Sequence, residues 1–550
     1  MSRGKRSMDL RSVWEGLMRQ VEGKPEGRAH RGTPTTCRSP VRPDMGVDAV
    51  AGASWLRRCL AASLIATTFL GLGLVCTERP LTGPAHGPGP PNDTRASPTL
   101  RTIIAYSLEA EFLPPAPPVL QCYGLRPPSQ ILRDKRLWQK PLKTPLFLFS
   151  AYYDARMHLR EESRHFVRVI AMSEGEYEDA VYCQLWYDDE EDPLVVEAIK
   201  TDIWVEEWGK EWKEGAYHPV LISCPLPPQR SGDGPQPRYA SISSAPCSTA
   251  TTLLSVGSKG YMGEMAWRRR LRRPRVAVCV KGMDFAEDRS VRLVEWLEMN
   301  LLLGAGRFFV YVYGVHGNMS RVLRHYAQRG VLEALPLTLP GRQPDYPPSA
   351  RSSFLRENLW QKRRNELVPY NDCFYRNLYR FEFVLPIDVD EVILPVKSRT
   401  WAEMLEGLSE EDPSILKRYA SLSVRNAYFF DSFPTVEGPP HLHMLRHLVR
   451  SANMSRPGDS VKSFVSTGNA LTVFNHYALH PLHPAMKKEF LLGSDVVQMN
   501  HYKAECSPVM FPDCFTNFLR FRRKDTIILK YRKELTDRVE RVLEELGLTG

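Results

Sequence analysis

The segment at residues 383–395 (FVLPIDVDEVILP) places three acidic side chains, Asp388, Asp390 and Glu391, inside an otherwise apolar run. An ionised carboxylate is costly to bury unless it is paired or binds a metal, so this segment requires a cation nearby. The apolar run at 383–387 is typical of a strand buried on both faces, as in parallel sheets. The acids then follow the strand at its carboxyl end, where ligands bind in open α/β sheets.

Asp388 and Asp390 form the only D-x-D sequence of the chain. Carboxylate oxygens are the ligands that Mg²⁺ and Mn²⁺ prefer, and these ions keep coordination positions open for the oxygens of a diphosphate. The motif therefore predicts a divalent metal site that faces a substrate. An ordinary acidic strand exit, with its charges in water, is the alternative interpretation.

Strand and helix patterns alternate through residues 275–515. Apolar periodicity predicts strands at 275–280, 307–315, 331–339 and 383–387, and helices at 288–303, 319–329 and about 352–378. Such alternation implies right-handed crossovers and a parallel-rich sheet. We predict an α/β nucleotide-binding domain here, with an α/β domain without catalysis as the alternative. Residues 516–550 contain an amphipathic helix, which we expect to pack on this domain or to support a homo-oligomer.

The N-terminal region predicts a membrane anchor. Residues 59–76 (CLAASLIATTFLGLGLVC) are uncharged and mostly apolar, close to the length of about 20 residues that spans a bilayer. Residues 1–58 hold twice as many Lys and Arg as Asp and Glu and have a composition typical of disorder. The positive-inside rule places this basic tail in the cytosol. We predict a type II single-pass protein, with a Pro- and Gly-rich stem at 77–100.

The net charge of +10 comes largely from that tail, so we predict no nucleic-acid partner. Short β-rich segments over 101–226 predict a β-sandwich-like domain, and loop composition over 227–274 predicts a linker. Eight cysteines follow the anchor, an even number that permits disulfides in an oxidising compartment without revealing their pairing. N-glycosylation sequons occur at Asn92, Asn318 and Asn453.

Four blocks in this order resemble glycosyltransferase family 92: ENLWQKRRNELVPYNDCFYRN (357–377), PIDVDEVILP (386–395), VKSFVSTGNALTVFNHYALH (461–480) and MNHYK (499–503). The resemblance implies a GT-A fold and inverting transfer of a hexose, usually galactose from UDP-galactose, to a glycan or glycoprotein acceptor. It also implies a Golgi membrane location with a lumenal catalytic domain. The chain departs from the family pattern at Val392, where an aromatic residue is usual, and at Lys503, where Arg is usual.

The resemblance also implies roles for individual residues. Asp388 and Asp390 would hold Mn²⁺ or Mg²⁺ against the donor diphosphate, and His501, or alternatively His476, would complete the metal site. The remaining donor-binding candidates are Glu391, Gln361, Arg363 and Arg364. Since an inverting transfer needs a base close to the acceptor hydroxyl, Asp431 in YFFDSF is the candidate general base.

Other interpretations stay open at this point. The chain is alternatively a lumenal glycan-binding protein that has the same fold and no activity, or a phosphoester hydrolase that uses the same acids. Two histidine-rich segments, HLHMLRH (441–447) and HYALHPLH (476–483), have the composition of metal-ligand clusters, although exposed loop histidines are the commoner outcome.

Overall fold

The computed structural model describes residues 118–131, 136–159, 162–188, 190–205, 215–231, 234–257, 275–506 and 514–548. The predicted tail, anchor and stem at residues 1–100, together with Asn92, lie outside these ranges. Among the described residues, no helix combines the length and apolarity needed to cross a membrane. The described residues form a mixed α/β structure with several sheets.

The first sheet has eight strands in the order β4-β3-β7-β8-β1-β2-β6-β5. Its strands are β1 (Leu146–Leu159), β2 (Glu162–Glu174), β3 (Tyr182–Trp186), β4 (Leu194–Glu197), β5 (Ile199–Asp202), β6 (Tyr217–Pro225), β7 (Tyr239–Ser243) and β8 (Leu254–Gly257). Neighbouring strands are antiparallel except β1 and β8, which are parallel.

The two halves of this sheet face each other across one apolar core. Side chains of β1, β2 and β6, such as Leu148, Val169 and Ile222, pack with Leu185 of β3 and Ile242 of β7. A disulfide between Cys183 and Cys224 joins β3 directly to β6. The sheet therefore encloses its core in the manner of a sandwich, because each half buries the apolar side of the other.

Strands β7 and β8 lie at residues 239–257, within the segment that the sequence analysis assigned to a linker. Tyr239, Ala240 and Ile242 supply the alternating pattern of β7, while the surrounding Pro, Gly and Ser residues dominate the composition. The segment 227–274 is therefore not a linker throughout, because the sheet reaches residue 257 and its last strands are embedded in loop-like sequence. A second disulfide, Cys122–Cys247, closes this region onto the segment before β1.

The remaining strands are β9 (Val276–Phe285), β10 (Ala305–Val315), β11 (Leu332–Pro336), β12 (Phe383–Pro386), β13 (Glu391–Pro395), β14 (Tyr419–Val424), β15 (Asn426–Phe430), β16 (Val449–Ser451), β17 (Lys462–Ser466), β18 (Ala470–Val473), β19 (Ala478–Pro481), β20 (Lys487–Leu491), β21 (Val497–Lys503) and β22 (Arg522–Lys524). The α-helices are α1 (Ser290–Leu302), α2 (Gly317–Gln328), α3 (Pro348–Glu357), α4 (Leu359–Arg376), α5 (Trp401–Glu411), α6 (Ile415–Arg418), α7 (His443–Arg446) and α8 (Arg532–Glu545).

The central sheet has the order β11-β10-β9-β12-β17-β14-β20. Strands β11, β10, β9 and β12 run parallel, β17 is antiparallel to both of its neighbours, and β14 and β20 are parallel to each other. The alternating strands and helices predicted from the sequence therefore build a parallel-rich sheet. A smaller sheet, β13-β21-β15, continues the chain beyond the end of β12.

Both faces of the central sheet are buried, as the apolar run at 383–387 predicts. Phe383 and Leu385 face a core shared with α1, α2 and α8, while Val384 faces the core formed by α4 and the first sheet. Alternate residues of one strand thus serve two cores, since successive side chains of a strand point to opposite faces. The C-terminal helix α8 packs into the first of these cores through Leu535 and Val539.

The helix predicted at about 352–378 is in fact two helices, α3 and α4. The break lies at Asn358, whose backbone (φ −110°, ψ 66°) is outside the helical region. Its side-chain amide donates to the carbonyl of Phe354, so Asn358 closes α3 locally. Such competition of a side chain for backbone groups ends a helix locally. The helix therefore breaks at Asn358 although the apolar periodicity of the sequence continues across it.

Candidate functional site

The three acids of the D-x-D segment lie in the turn that connects β12 to β13. Asp388 donates its N–H to a carboxylate oxygen of Glu391 (3.0 Å), and Glu391 donates its N–H to the carbonyl of Asp388 (3.1 Å). Because β13 pairs with β21, Glu391 lies directly opposite His501. The turn is therefore closed by its own backbone, and it lies at the carboxyl end of β12, as predicted.

Two lysines contact the Asp388 carboxylate. The ammonium of Lys281 is 3.2 Å from Oδ1 and 3.3 Å from Glu366, while the ammonium of Lys462 is 3.2 Å from Oδ2 and 3.2 Å from Glu391. Burial alone would raise the pKa of Asp388, but the two ammonium groups outweigh burial and hold that pKa well below its usual range. Asp388 is therefore ionised and oriented through both oxygens.

Neither lysine was predicted from the sequence as a site residue. Lys281 follows the apolar run of β9, on the strand that neighbours β12, and Lys462 is the first residue of β17 on the other side of β12. A basic residue at the end of a buried parallel strand is a signal comparable to the acids themselves. Lys462, by contrast, enters from an antiparallel strand, so only the sheet order brings it to this edge.

Asp390 and His501 form the more exposed part of the site. Nε2 of His501 is 3.5 Å from a carboxylate oxygen of Asp390, whose side chain is 50% exposed. The opposite ring nitrogen, Nδ1, is 3.3 Å from Asn426 Oδ1 and 3.3 Å from Glu391. If these acceptors hold a hydrogen on Nδ1, the other ring nitrogen, Nε2, carries a lone pair that faces Asp390. Metal-binding histidines are oriented in this way. These residues fit a divalent metal.

Glu391 is buried, with 2% of its surface exposed. Its carboxylate accepts the N–H of Asp388 and contacts Lys462 and His501. All of these contacts are to protein groups, so Glu391 orients the residues around it. A role of Glu391 in donor binding stays a prediction.

His476 and Arg363 lie near the two lysines. Nδ1 of His476 donates to the carbonyl of Val461 (2.8 Å), and burial, with Lys462 nearby, lowers the pKa of the ring to about 3. The ring is therefore neutral. Arg363 is half-buried and close enough for its charge to act on both His476 and Lys281, although the carboxylates of Asp388 and Glu366 outweigh it and raise the pKa of Lys281. Arg363 thus adds positive charge to the same edge of the sheet.

Gln361 and Arg364 do not join this cluster. Gln361 exchanges hydrogen bonds with the backbone of Tyr217 in β6 (2.9 and 3.0 Å), and its amide also donates to Asn365. Arg364 is buried with its guanidinium 4.6 Å from the ring centre of Trp204. These contacts attach α4 to the first sheet and to the segment that follows β5, because successive helix positions face different directions, and donor binding by Gln361 and Arg364 stays a prediction.

Asp431 lies immediately after β15 in a second polar cluster. Its Oδ1 is 3.1 Å from Nε2 of His443 and 3.6 Å from Nε2 of His447, and its Oδ2 is 3.7 Å from Arg292. Burial lowers the pKa of His443 to about 4 and lowers the pKa of His447 as well. Two of the three histidines of HLHMLRH, His443 and His447, therefore converge with the candidate base, which the sequence did not predict.

The two described sequons differ in environment. Asn453 is exposed, whereas Asn318 is half-buried and donates its amide to Asp288 (2.6 Å). Glycosylation at these sites stays a prediction. Two further disulfides, Cys279–Cys373 and Cys506–Cys514, add to the two that involve the first sheet. All eight cysteines that follow the predicted anchor are therefore paired.

Comparison with known proteins gives two matches. Residues 274–542, about half of the chain, match the model of glycosyltransferase family 92. The chain is also 28% identical over 156 residues to "Beta-1,4-galactosyltransferase galt-1" of Caenorhabditis elegans, an alignment that covers 28% of this chain and 33% of that protein. The chain thus spans about a third of the length of this curated relative.

The resemblance to glycosyltransferase family 92 that the sequence blocks indicated is confirmed over residues 274–542. The match contains the D-x-D turn, both lysines, His501 and the Asp431 cluster. It also extends into α8, which the sequence analysis had placed in a separate C-terminal segment. These matches support a glycosyltransferase.

Proposed function

Starting from this family similarity, we propose that the chain is a metal-dependent inverting hexosyltransferase that uses a UDP-sugar, with galactose as the first candidate sugar. The galactose assignment is supported by the partial similarity to the C. elegans galactosyltransferase. A GT-A fold is part of the proposal, and it is supported by a parallel-rich sheet with polar residues at the carboxyl ends of β9 and β12.

The observation that carries this proposal is the charge arrangement around the D-x-D turn. Two ammonium groups, those of Lys281 and Lys462, are in contact with a group of carboxylates. The carboxylates are those of Asp388, Glu391 and Glu366. A fourth carboxylate, that of Asp390, lies next to them and contacts His501. The ammonium of Lys362 also contacts Glu366 (3.8 Å), so the four carboxylates exceed the three ammonium groups by one negative charge, which favours binding of a divalent cation.

Asp388, Asp390 and His501 would hold the metal, for which Mn²⁺ or Mg²⁺ is proposed. When bound, such an ion stabilises the charge that develops on the departing diphosphate. Lys281 and Lys462 keep Asp388 ionised, and Glu391 and Asn426 hold the imidazole of His501 in the tautomer that presents Nε2. The same two lysines, with Arg363, supply positive charge that suits the donor phosphates.

The proposed cellular setting is the Golgi lumen, with residues 59–76 as a single-pass anchor and a glycan or glycoprotein as acceptor. Four disulfides among the described cysteines support an oxidising compartment, because such bonds persist mainly in secretory compartments. The basic tail at residues 1–58 supports a cytosolic N-terminus.

The test is UDP release by the purified full chain with a panel of UDP-sugars, in Mn²⁺, in Mg²⁺ and in EDTA. We expect release with UDP-galactose that requires metal and that Asp390→Ala abolishes. Lys397→Met is the matched control, because the described salt bridge of Lys397 is with Asp495, on the protein surface. A folded chain that binds glycans and releases no UDP from any donor would overturn the proposal in favour of a glycan-binding protein.

A further inference from the structure

We propose that Asp431, His443 and His447 form a second metal site, which binds a divalent transition-metal ion such as Zn²⁺ through two imidazoles and one carboxylate. One ligand atom from each residue lies within 4.8 Å of the other two. The site differs in chemistry from the D-x-D turn, since its donors are mainly nitrogen, and imidazole suits Zn²⁺ better than Mg²⁺ or Mn²⁺. The inference does not depend on the proposed transferase activity.

The local fold brings the two histidines together. Helix α7 is a single turn, and the N–H of His447 donates to the carbonyl of His443 (3.2 Å). A spacing of four residues therefore places both rings on one face, the spacing with which two histidines on a helix bind zinc. The ring centres are 3.9 Å apart, so both Nε2 atoms approach the same oxygen of Asp431.

The tautomer of His447 leaves a gap that a cation fits. Its Nδ1 is 2.7 Å from the carbonyl oxygen of His443, and because a carbonyl only accepts, Nδ1 carries the hydrogen. In the neutral ring, Nε2 is then a lone pair that faces Oδ1 of Asp431, another acceptor, at 3.6 Å. Two acceptors facing each other are stabilised by a cation between them.

The distances match a zinc site. With zinc–ligand bonds of about 2.0–2.2 Å, tetrahedral ligands lie about 3.3–3.6 Å from one another. The two Nε2 atoms are 3.1 Å (His443) and 3.6 Å (His447) from Oδ1 of Asp431. Two of the three ligand pairs therefore already have nearly the separation that a zinc ion requires, and all three ligand atoms lie within 4.8 Å of one another. Three protein ligands also leave one coordination position open for water or a substrate oxygen.

Neighbouring residues hold this arrangement in place. The buried carboxylate of Glu295 accepts the N–H of Met444 (2.9 Å), which fixes the turn that carries both histidines. Arg292 approaches Oδ2 of Asp431 and leaves Oδ1 for the ion, although its positive charge opposes metal binding. His443 and Asp390 line the same cavity of about 30 Å³, so the proposed site adjoins the D-x-D turn.

The experiment measures the metal content of the purified full chain by mass spectrometry, after EDTA treatment and reloading with Zn²⁺. We expect one tightly held zinc ion per chain in the wild type and its loss in His443→Gln/His447→Gln. His441→Gln is the matched control, because His441 lies in the same segment but contacts Glu540 (3.6 Å). Asp390→Ala should lose UDP release and keep its zinc, which separates this inference from the proposed function.

Cobalt substitution provides a measurement that needs no variant. Co²⁺ in the wild-type chain should give the strong visible absorption of a tetrahedral nitrogen and oxygen site, and equimolar Zn²⁺ should remove that absorption. Equal zinc content in the wild type and the double variant, or a wild type that neither retains zinc nor shows this absorption, would overturn the proposal. The cluster would then be a hydrogen-bonded group around Asp431, as its predicted role as general base requires.

Discussion

Asp388, in the turn after β12, and Asp372, on α4, are both ionised acids with basic partners, yet their surroundings differ. Asp372, on α4, is fully buried and accepts hydrogen bonds from the hydroxyls of Tyr152 (2.6 Å) and Tyr311 (2.5 Å). Arg376 contacts it at 3.0 Å, and although burial raises its pKa, Arg376 and the hydrogen bonds outweigh burial and lower that pKa. Asp388 also has a lowered pKa, but its partners are two lysines at the open edge of the sheet.

The difference shows how a buried acid that stabilises the fold is told apart from an acid at a functional site. The donors to Asp372 come from the first sheet, the central sheet and α4, so this one carboxylate ties three elements together. Its neighbours act similarly, since Asn371 donates to the carbonyl of Val473 and Cys373 is bonded to Cys279. All three residues belong to a block that carries the family resemblance, yet their contacts are structural.

The largest contrast should come from making the same substitution at both positions. Asp388→Asn should lower UDP release by about a hundredfold or more, since losing even an outer residue of a metal site costs about 10–100-fold. Its free energy of unfolding should fall less than that of the matched Asp372 variant, because Lys281 keeps Glu366 and Lys462 keeps Glu391 as partners. Activity assays and urea unfolding of the full chain measure the two effects. Full activity in this variant would remove Asp388 from the site.

Asp372→Asn should show the reverse pattern. The amide replaces one acceptor with a donor beside the Tyr152 and Tyr311 hydroxyls and leaves Arg376 without its closest partner. We expect the free energy of unfolding to drop by about 2–3 kcal/mol, the cost of unsatisfied buried polar groups. Turnover per folded molecule should stay near the wild-type value. A stable but inactive variant would show that Asp372 takes part in the reaction.

Lys462→Met should have an intermediate effect. It removes a charge-assisted contact from Asp388 and positive charge from the proposed phosphate site, which corresponds to about a tenfold loss in kcat/KM. We expect most of this decrease in kcat/KM to come from a higher KM for the UDP-sugar. Lys397→Met should change neither activity nor stability, since its pair with Asp495 is 73% and 72% exposed. Equal behaviour of the two variants would contradict a special role for Lys462.

The smallest effect concerns acid stability. Because the pKa of Asp372 is lower in the folded chain than in the unfolded chain, its ionised form stabilises the fold above the unfolded pKa of about 3.9. That contribution is lost as the pH falls below about 4. The stability difference between wild type and Asp372→Asn should therefore be constant from pH 5 to 8 and shrink below pH 4. Unfolding midpoints measured across this range test it, and a constant difference at every pH would refute it.

Much of the central domain could be predicted because its signals are local. The strands β9, β10, β11 and β12 and the helices α1 and α2 were predicted within a few residues, since each carries its own apolar period. The D-x-D turn at the end of β12 was located by the same pattern. Local competition at Asn358 split one predicted helix, and strands in the loop-like segment 239–257 were missed.

By itself, the sequence determined the alternation of elements, the position of the acids after a buried strand and the family resemblance. Only the tertiary structure decided what surrounds those acids, because Lys281, Lys462 and His501 come from strands far apart in the chain. The same holds for the convergence of Asp431 with His443 and His447. Charges interact over distances in space, and no local period in a sequence records which distant residues the sheet order places side by side.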